Sequence, residues 1–268
     1  MSWLDGELTT LALCWRIERS DGVTIGLTAH DHDLEIEGLT YRGAPGMTPS
    51  AISRSANLDA DSMDVTGALT SAAITEADLL AGRWDGARVA MFAIDWSAPG
   101  ERVALGAGTI GAVETRDGAL TAELRGLSAL LERPVVEETS PECRAALGDR
   151  RCRIAMAGRR RFARVTAVAG ATITLDGVEP GVNAYGGGRL RWFGGANSGL
   201  EDAIVLSGGA TVTLRRPPRF AGMGALVELI EGCDKSLATC AGRFANAANF
   251  RGEPYLPGID LLTRYPGG

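Results

Sequence analysis

The chain has 268 residues, 45% of them hydrophobic and 22% charged; this globular mixture excludes a disordered chain and suffices for one large domain or two of ordinary size. A formal charge of −6 argues against nucleic acid or an anionic membrane as partner. The 36 glycines and the scarcity of aromatic residues imply many turns between short apolar runs, hence a strand-rich fold.

In chain order, residues 9–19 alternate as a strand does, Asp21-Gly22 is a strong turn signal, and 23–28 form the returning strand of a hairpin. Residues 34–41 alternate again. Thr75 to Gly82 reads as a short helix, with Thr75 as N-cap and Gly82 past its end. A mostly buried strand is expected at 88–96, and strands at 103–114 and 119–125 flank Arg116-Asp117-Gly118 as a second hairpin. A helical stretch begins at 127–131 and is ended by Pro134. Ser140-Pro141-Glu142 predicts another helix, with Ser140 as N-cap, proline at the first helical position and Gly148 as its stop. Strands return at 163–168, 172–175, 188–193, 203–206, 211–214 and 225–230. Gly186-Gly187-Gly188, Gly194-Gly195 and Pro217-Pro218 read as loops, as does the tail from Arg251. A boundary near residue 160 would separate an N-terminal β-rich domain (1–160), ending in a helical cysteine pair, from a C-terminal β domain (161–268) with a second pair.

No apolar run reaches the roughly 18 residues of a membrane helix. The start of the chain has no basic stretch followed by an apolar core, so a reducing cytoplasm is the expected compartment and disulfides are disfavoured.

Four of the five cysteines fall in two local pairs. Eight residues separate Cys143 from Cys152, six separate Cys233 from Cys240, and eighty lie between the pairs. Thiolates select zinc or iron–sulfur clusters, and both accept four cysteine ligands. Zinc knuckles favour about two to four residues between paired ligands, on one tight turn. The wider spacing here suits sulfurs bound to different irons, with zinc as the alternative. Cys143 is expected at the N-terminus of the Ser140-capped helix, where the dipole favours thiolate. Asp234 is placed to cap a helix running to Cys240. Arg144, Arg150, Arg151, Arg153 and Arg243 surround the pairs and are expected to offset the cluster's negative charge. Cys14, between Leu13 and Trp15, reads as a core residue.

Both histidines lie in His30-Asp31-His32-Asp33. This segment reads as a polar turn or strand edge bonded to neighbouring backbone; the metal-site alternative needs a ligand from elsewhere. The basic run Arg150, Arg151, Arg153, Arg159, Arg160, Arg161 and Arg164 reads as charge balance and subunit contact rather than a grip on DNA. No nucleophile elbow, P-loop or dinucleotide fingerprint is present. The residues alone leave three readings open: a structural protein, a cytoplasmic iron–sulfur redox protein, and a zinc-stabilised binding module.

Gly232-Cys233-Asp234-Lys235-Ser236-Leu237-Ala238-Thr239-Cys240 is followed by Arg243-Phe244, Asn246, Asn249-Phe250-Arg251-Gly252-Glu253-Pro254 and Leu256-Pro257-Gly258. Upstream stand Leu27-Thr28-Ala29-His30-Asp31-His32-Asp33-Leu34, Gly38-Leu39-Thr40-Tyr41, and the run from Ile74 to Ala87. Together these resemble a hub (baseplate) family of phage and gene-transfer-agent tail proteins, the BR0599-like proteins, related to the iron–sulfur tail-tip proteins of long-tailed phages. The resemblance implies two β-barrel- or sandwich-like hub domains, mainly β, with a short helical cysteine-bearing segment. It implies a 4Fe–4S cluster on Cys143, Cys152, Cys233 and Cys240, with Cys233 and Cys240 anchored by the motif. It implies a non-enzymatic homotrimeric ring at the virion tail tip, assembled in the bacterial cytoplasm. Its expected partners are the distal tail protein, a tip or fibre (megatron-like) protein and the tail's cell-wall peptidase, with DNA passing through and no membrane insertion of its own.

Overall fold

Leu11–Glu18 (β1) and Thr24–Thr28 (β2) pair antiparallel around the Asp21-Gly22 turn, as the alternation predicts. The structure is a computed structural model and describes residues 10–43, 48–49, 62–68, 74–98, 100–116, 119–126 and 136–256. Residues 34–41 differ from a single strand: Leu34–Ile36 (β3) and Leu39–Gly43 (β4) form a tight hairpin. Glu37 and Gly38 both take positive φ (51° and 78°), which suits the right-handed twist of the two flanking strands. Thr48–Pro49 (β5) and Ser62–Ala68 (β6) follow. Glu76–Leu80 (α1) is the helix predicted there, with the Thr75 hydroxyl accepting from the Asp78 N–H. Arg88–Asp95 (β7), Arg102–Arg116 (β8) and Ala119–Arg125 (β9) complete the first unit. The helix expected at 127–131 lies outside the described residues.

These strands form one nine-stranded sheet in the order β3-β4-β2-β1-β7-β8-β9-β6-β5. Among the described residues the sheet does not close on itself and forms a half-barrel, within the barrel- or sandwich-like expectation for this unit. Alternation along β1 buries both of its faces. Ala12 and Cys14 pack with Ile36, Tyr41, Phe92 and Ile94, while Trp15 and Ile17 pack with Leu27, Leu79, Trp84 and Met91. Cys14 is a core residue, its thiol donating to Thr28 Oγ1 at 3.5 Å.

Arg160–Ala169 (β10), Thr172–Leu175 (β11), Arg189–Trp192 (β12), Glu201–Gly208 (β13), Thr211–Leu214 (β14) and Leu226–Ile230 (β15) form a closed antiparallel barrel, β10-β11-β14-β13-β12-β15. Val165, Ile173, Leu190, Trp192, Ile204, Val212, Val227 and Leu229 are its buried core. Closure leaves this sheet no unpaired edge.

The chain divides into two compact units, Met1–Val135 and Val136–Gly268, upstream of the division expected at 160. The physical reason is where the backbone of residues 140–144 finds its partners: Cys143 and Arg144 donate to Lys235 O and Arg251 O, inside the second unit. All four paired cysteines therefore belong to that unit. Among the described residues, no helix is long and apolar enough to cross a membrane.

Candidate metal centre

No helix forms around Cys143. Its N–H donates to Lys235 O at 2.9 Å, and Glu253 N–H donates to Ser140 O at 2.7 Å. The segment is thus laid between 235 and 253, and cross-chain bonds replace the i→i−4 ladder. Ser140 Oγ accepts from Glu142 N–H and caps only a turn, so the expected helix dipole at Cys143 is absent. Cys152 is placed by Asp149, whose carboxylate accepts the N–H groups of Cys152, Arg151 and Ala146. Those backbone bonds, the one from Cys152 foremost, hold the Asp149 pKa below the ordinary range. Cys233 follows β15, with Glu231 and Gly232 between it and the end of the strand. Cys240 lies in Leu237–Gly242 (α2), whose N-cap is Ser236. Asp234, expected as the cap, instead accepts from Ser236 N–H and Thr239 Oγ1 and so braces the turn before the helix.

The four cysteines line one recess, with Leu147, Ile154 and Phe244 as apolar wall and Lys235, Asn246 and Asn249 at its polar side. Burial pushes the Cys233 and Cys240 thiols up, and mutual repulsion adds to it, Cys240 feeling Cys143, Cys233 and Cys152. Bare thiolates are therefore disfavoured at Cys233 and Cys240 until a cation offsets them. The N–H groups of Lys235 and Arg251 donate to Cys233 Sγ and Cys143 Sγ, each at 3.4 Å. Asn246 Nδ2 lies 3.8 Å from Cys152 Sγ. Such bonds orient and tune thiolate ligands.

Four cysteines lining one recess are a donor set that fits a thiolate-bound metal group. Among the described residues, the one group of three ligand residues whose atoms all lie within 4.8 Å of one another is His30, Asp31 and His32. No three of the cysteine sulfurs come that close together. A four-thiolate zinc ion, with Zn–S bonds of about 2.3 Å, draws its sulfurs to about 3.8 Å apart. Zinc or an iron–sulfur cluster would each draw the four sulfurs to its own spacing on binding.

Three of the five arginines expected to balance the site, Arg144, Arg151 and Arg243, pair with carboxylates instead. Arg243 bonds Glu231, Gly232 O and Ala184 O, and Arg159 also pairs with the buried Glu231 carboxylate at 2.7 Å. Arg151 bonds Glu137. Arg144 grips Glu253 by two bonds (2.6 and 2.9 Å), and Glu253 also accepts from Ser140 N–H. This clamp fastens the Cys143 segment to the C-terminal motif and holds the Glu253 pKa down to about 2. A depressed carboxylate stabilises the fold above its unfolded value near 4.5 and loses that contribution as pH falls to about 2. Glu253→Gln is therefore expected to lower the melting temperature at neutral pH, with the gap to the parent closing through that window in a thermal-melt series.

The His30–Asp33 segment is a self-satisfied turn. His30 Nδ1 accepts from His32 N–H at 3.1 Å, the His30 ring packs 5.1 Å from Trp96, and Asp33 accepts from Gly43 N–H at 2.8 Å. Two features were not assigned from sequence. Gly186-Gly187-Gly188, expected as a loop tip, lies against the backbone before Cys233: a Cβ on Gly188 would stand 2.1 Å from Ile230 O. Asn246 stands in the C-terminal motif, but only the fold brings it to Cys152. Three glycines directly before a strand were the available signal for close backbone approach.

The chain thus combines a unit built on a nine-stranded sheet with a second unit in which four cysteines line a recess and six strands close a barrel. Residues 1–155 match the family model described as baseplate hub protein, N-terminal attachment domain, and the chain belongs to that family. Residues 183–260 match a second model, phage conserved hypothetical protein BR0599. The structure is similar to a chain solved in the virion of a native gene transfer agent particle. The two are 37% identical, with a TM-score of 0.85 over 99% of this chain and 94% of that one. No curated protein matches the chain.

Proposed function

We propose that this protein is the structural hub at the distal tail tip of a phage-like particle, assembled in the bacterial cytoplasm. The observation that carries the reading is the baseplate-hub match over residues 1–155, supported by the likeness to a gene-transfer-agent virion chain across nearly the whole length. The hub works as a homotrimeric ring joining the distal tail protein to the tip or fibre protein, beside the tail's cell-wall peptidase, and it lets DNA pass. Head-to-tail closure requires two different patches on each subunit. An acidic average charge suits a conduit that does not bind DNA. Its part is scaffolding, not catalysis.

Cys143, Cys152, Cys233 and Cys240 hold an iron–sulfur cluster of four irons. The cluster supplies a cross-link between the 140–153 loop and the C-terminal motif. The chain's own residues shape the recess, exclude water with Leu147, Ile154 and Phe244, and donate N–H groups to the sulfurs. Electron cryomicroscopy of purified particles is expected to place three copies around the axis at the tail tip. Density in the capsid, or absence from the particle, overturns the assignment.

A further inference from the structure

We infer that Asn246 is the positioning residue of the thiolate site, tying Cys152 and Cys240 together as a ligand pair. The inference rests on the cluster reading above and adds to it the residue that sets the ligand geometry. Cys152 and Cys240 come from different sequence pairs, and nothing in their local turns makes them neighbours. Asn246 joins them from both ends. Its side-chain Nδ2 donates to Cys152 O at 2.7 Å and reaches within 3.8 Å of Cys152 Sγ. Its backbone N–H donates to Cys240 O at 2.9 Å, a bond that does not depend on the thiol proton lost on metal binding.

The amide has one orientation available. Asn249 Nδ2 donates to Asn246 Oδ1 at 2.7 Å, so the oxygen faces Asn249 and the NH2 group faces Cys152. The chain reaches this arrangement through Ala245, which takes a left-handed φ of 48° as it leaves α2. A non-glycine residue holds that conformation only where its surroundings over-determine it. The other cross-pair tie is made by backbone: Lys235 N–H donates to Cys233 Sγ, and Lys235 O accepts Cys143 N–H. That tie survives a change of side chain. The Asn246–Cys152 tie does not, which makes Asn246 the place where substitution separates positioning from folding.

The test compares the parent with Asn246→Ala, Asn246→Asp and Asn249→Ala after anaerobic reconstitution with ferrous iron and sulfide. Asn246→Asp keeps size and acceptor but loses the donor and adds a negative charge. Both Asn246 variants are expected to retain iron about 10- to 100-fold less well against a chelator. Asn249→Ala, which only frees the amide to rotate, is expected to show a smaller loss. Asn246→Asp is further expected to move the midpoint potential negative and to change the electron-paramagnetic-resonance spectrum of the reduced protein. A merely structural residue moves melting and leaves potential and spectrum alone. Retention and spectrum equal to the parent in Asn246→Ala overturn the inference. If the alanine variant does not fold, the isosteric aspartate variant decides by the same readouts. If the parent takes up zinc and neither iron nor sulfide, the cluster reading fails by itself, and zinc release from Asn246→Asp against the parent then decides the positioning role.

Discussion

Serine at Cys152 or Cys233 is expected to leave the purified protein colourless and to destabilise its second unit by about 4 kcal/mol. The parent, prepared without oxygen, is expected to be brown and to carry about four irons per chain. The magnitude comes from loop closure. A group bound to both cysteine pairs closes a gap of eighty residues, which by analogy with a disulfide stabilises by about 4 kcal/mol. Binding would also couple to folding, since the 140–153 loop has turns but no helix or strand of its own. For a unit of this size the loss corresponds to a melting shift on the order of 15 °C. Cys14→Ser is the control: it changes the core of the first unit and leaves metal content untouched. Iron, sulfide and melting curves check the set together. Serine variants that lose the metal yet melt and assemble as the parent would exclude a structural role. One zinc per chain, with no iron or sulfide, would exclude the cluster.

Gly232→Ala is expected to destabilise the second unit by at least about 3 kcal/mol and to abolish metal retention. A Cβ at this position would stand 2.0 Å from Gly188 N, 2.2 Å from Gly186 O and 2.3 Å from the Gly187 carbonyl carbon. All three obstacles are backbone, so no rotamer change relieves them. The surrounding strand bonds oppose a backbone shift: Gly187 N–H donates to Ile204 O at 2.9 Å, Ile204 N–H to Gly188 O at 3.0 Å, and Gly232 N–H to Ala184 O at 3.1 Å. Any displacement passes to Cys233, the next residue. Gly181→Ala, whose added Cβ meets nothing within 4 Å, is the matched control, expected within about 0.5 kcal/mol of the parent. Denaturant unfolding and metal analysis of the two variants check this pair. Equal midpoints would mean that the two backbones are not in the contact described.

How legible each feature was depended on whether its partners are local. The β1–β2 hairpin could be read because alternation and Asp21-Gly22 act within a few residues. The helix α1 could be read because Thr75 reaches only to Asp78. The Ser140 segment carries equally good local helix signals and yet forms none, because Lys235 O, Arg251 O and Glu253 supply partners from about a hundred residues away. The Glu37-Gly38 turn splits one apparent strand into two, and the apolar positions change parity across it, Leu34 and Ile36 before and Leu39 and Tyr41 after, because residues paired across the turn share a face.

The sequence by itself determined that this is a β-rich chain, that its cysteines come in two local pairs, and that its C-terminal motif is that of a phage protein family. Composition, period and residue identity are one-dimensional properties, and these conclusions need nothing more. The tertiary structure alone decided that one unit closes into a barrel while the described strands of the other form a sheet that does not. It also decided that the cysteines of both pairs share one recess, that glycines 186–188 exist to let two backbones touch, and that Asn246 spans from Cys240 to Cys152. Each of these is a contact between segments far apart in the chain, where the entropy of loop closure is offset only by the whole packed unit and not by any local preference.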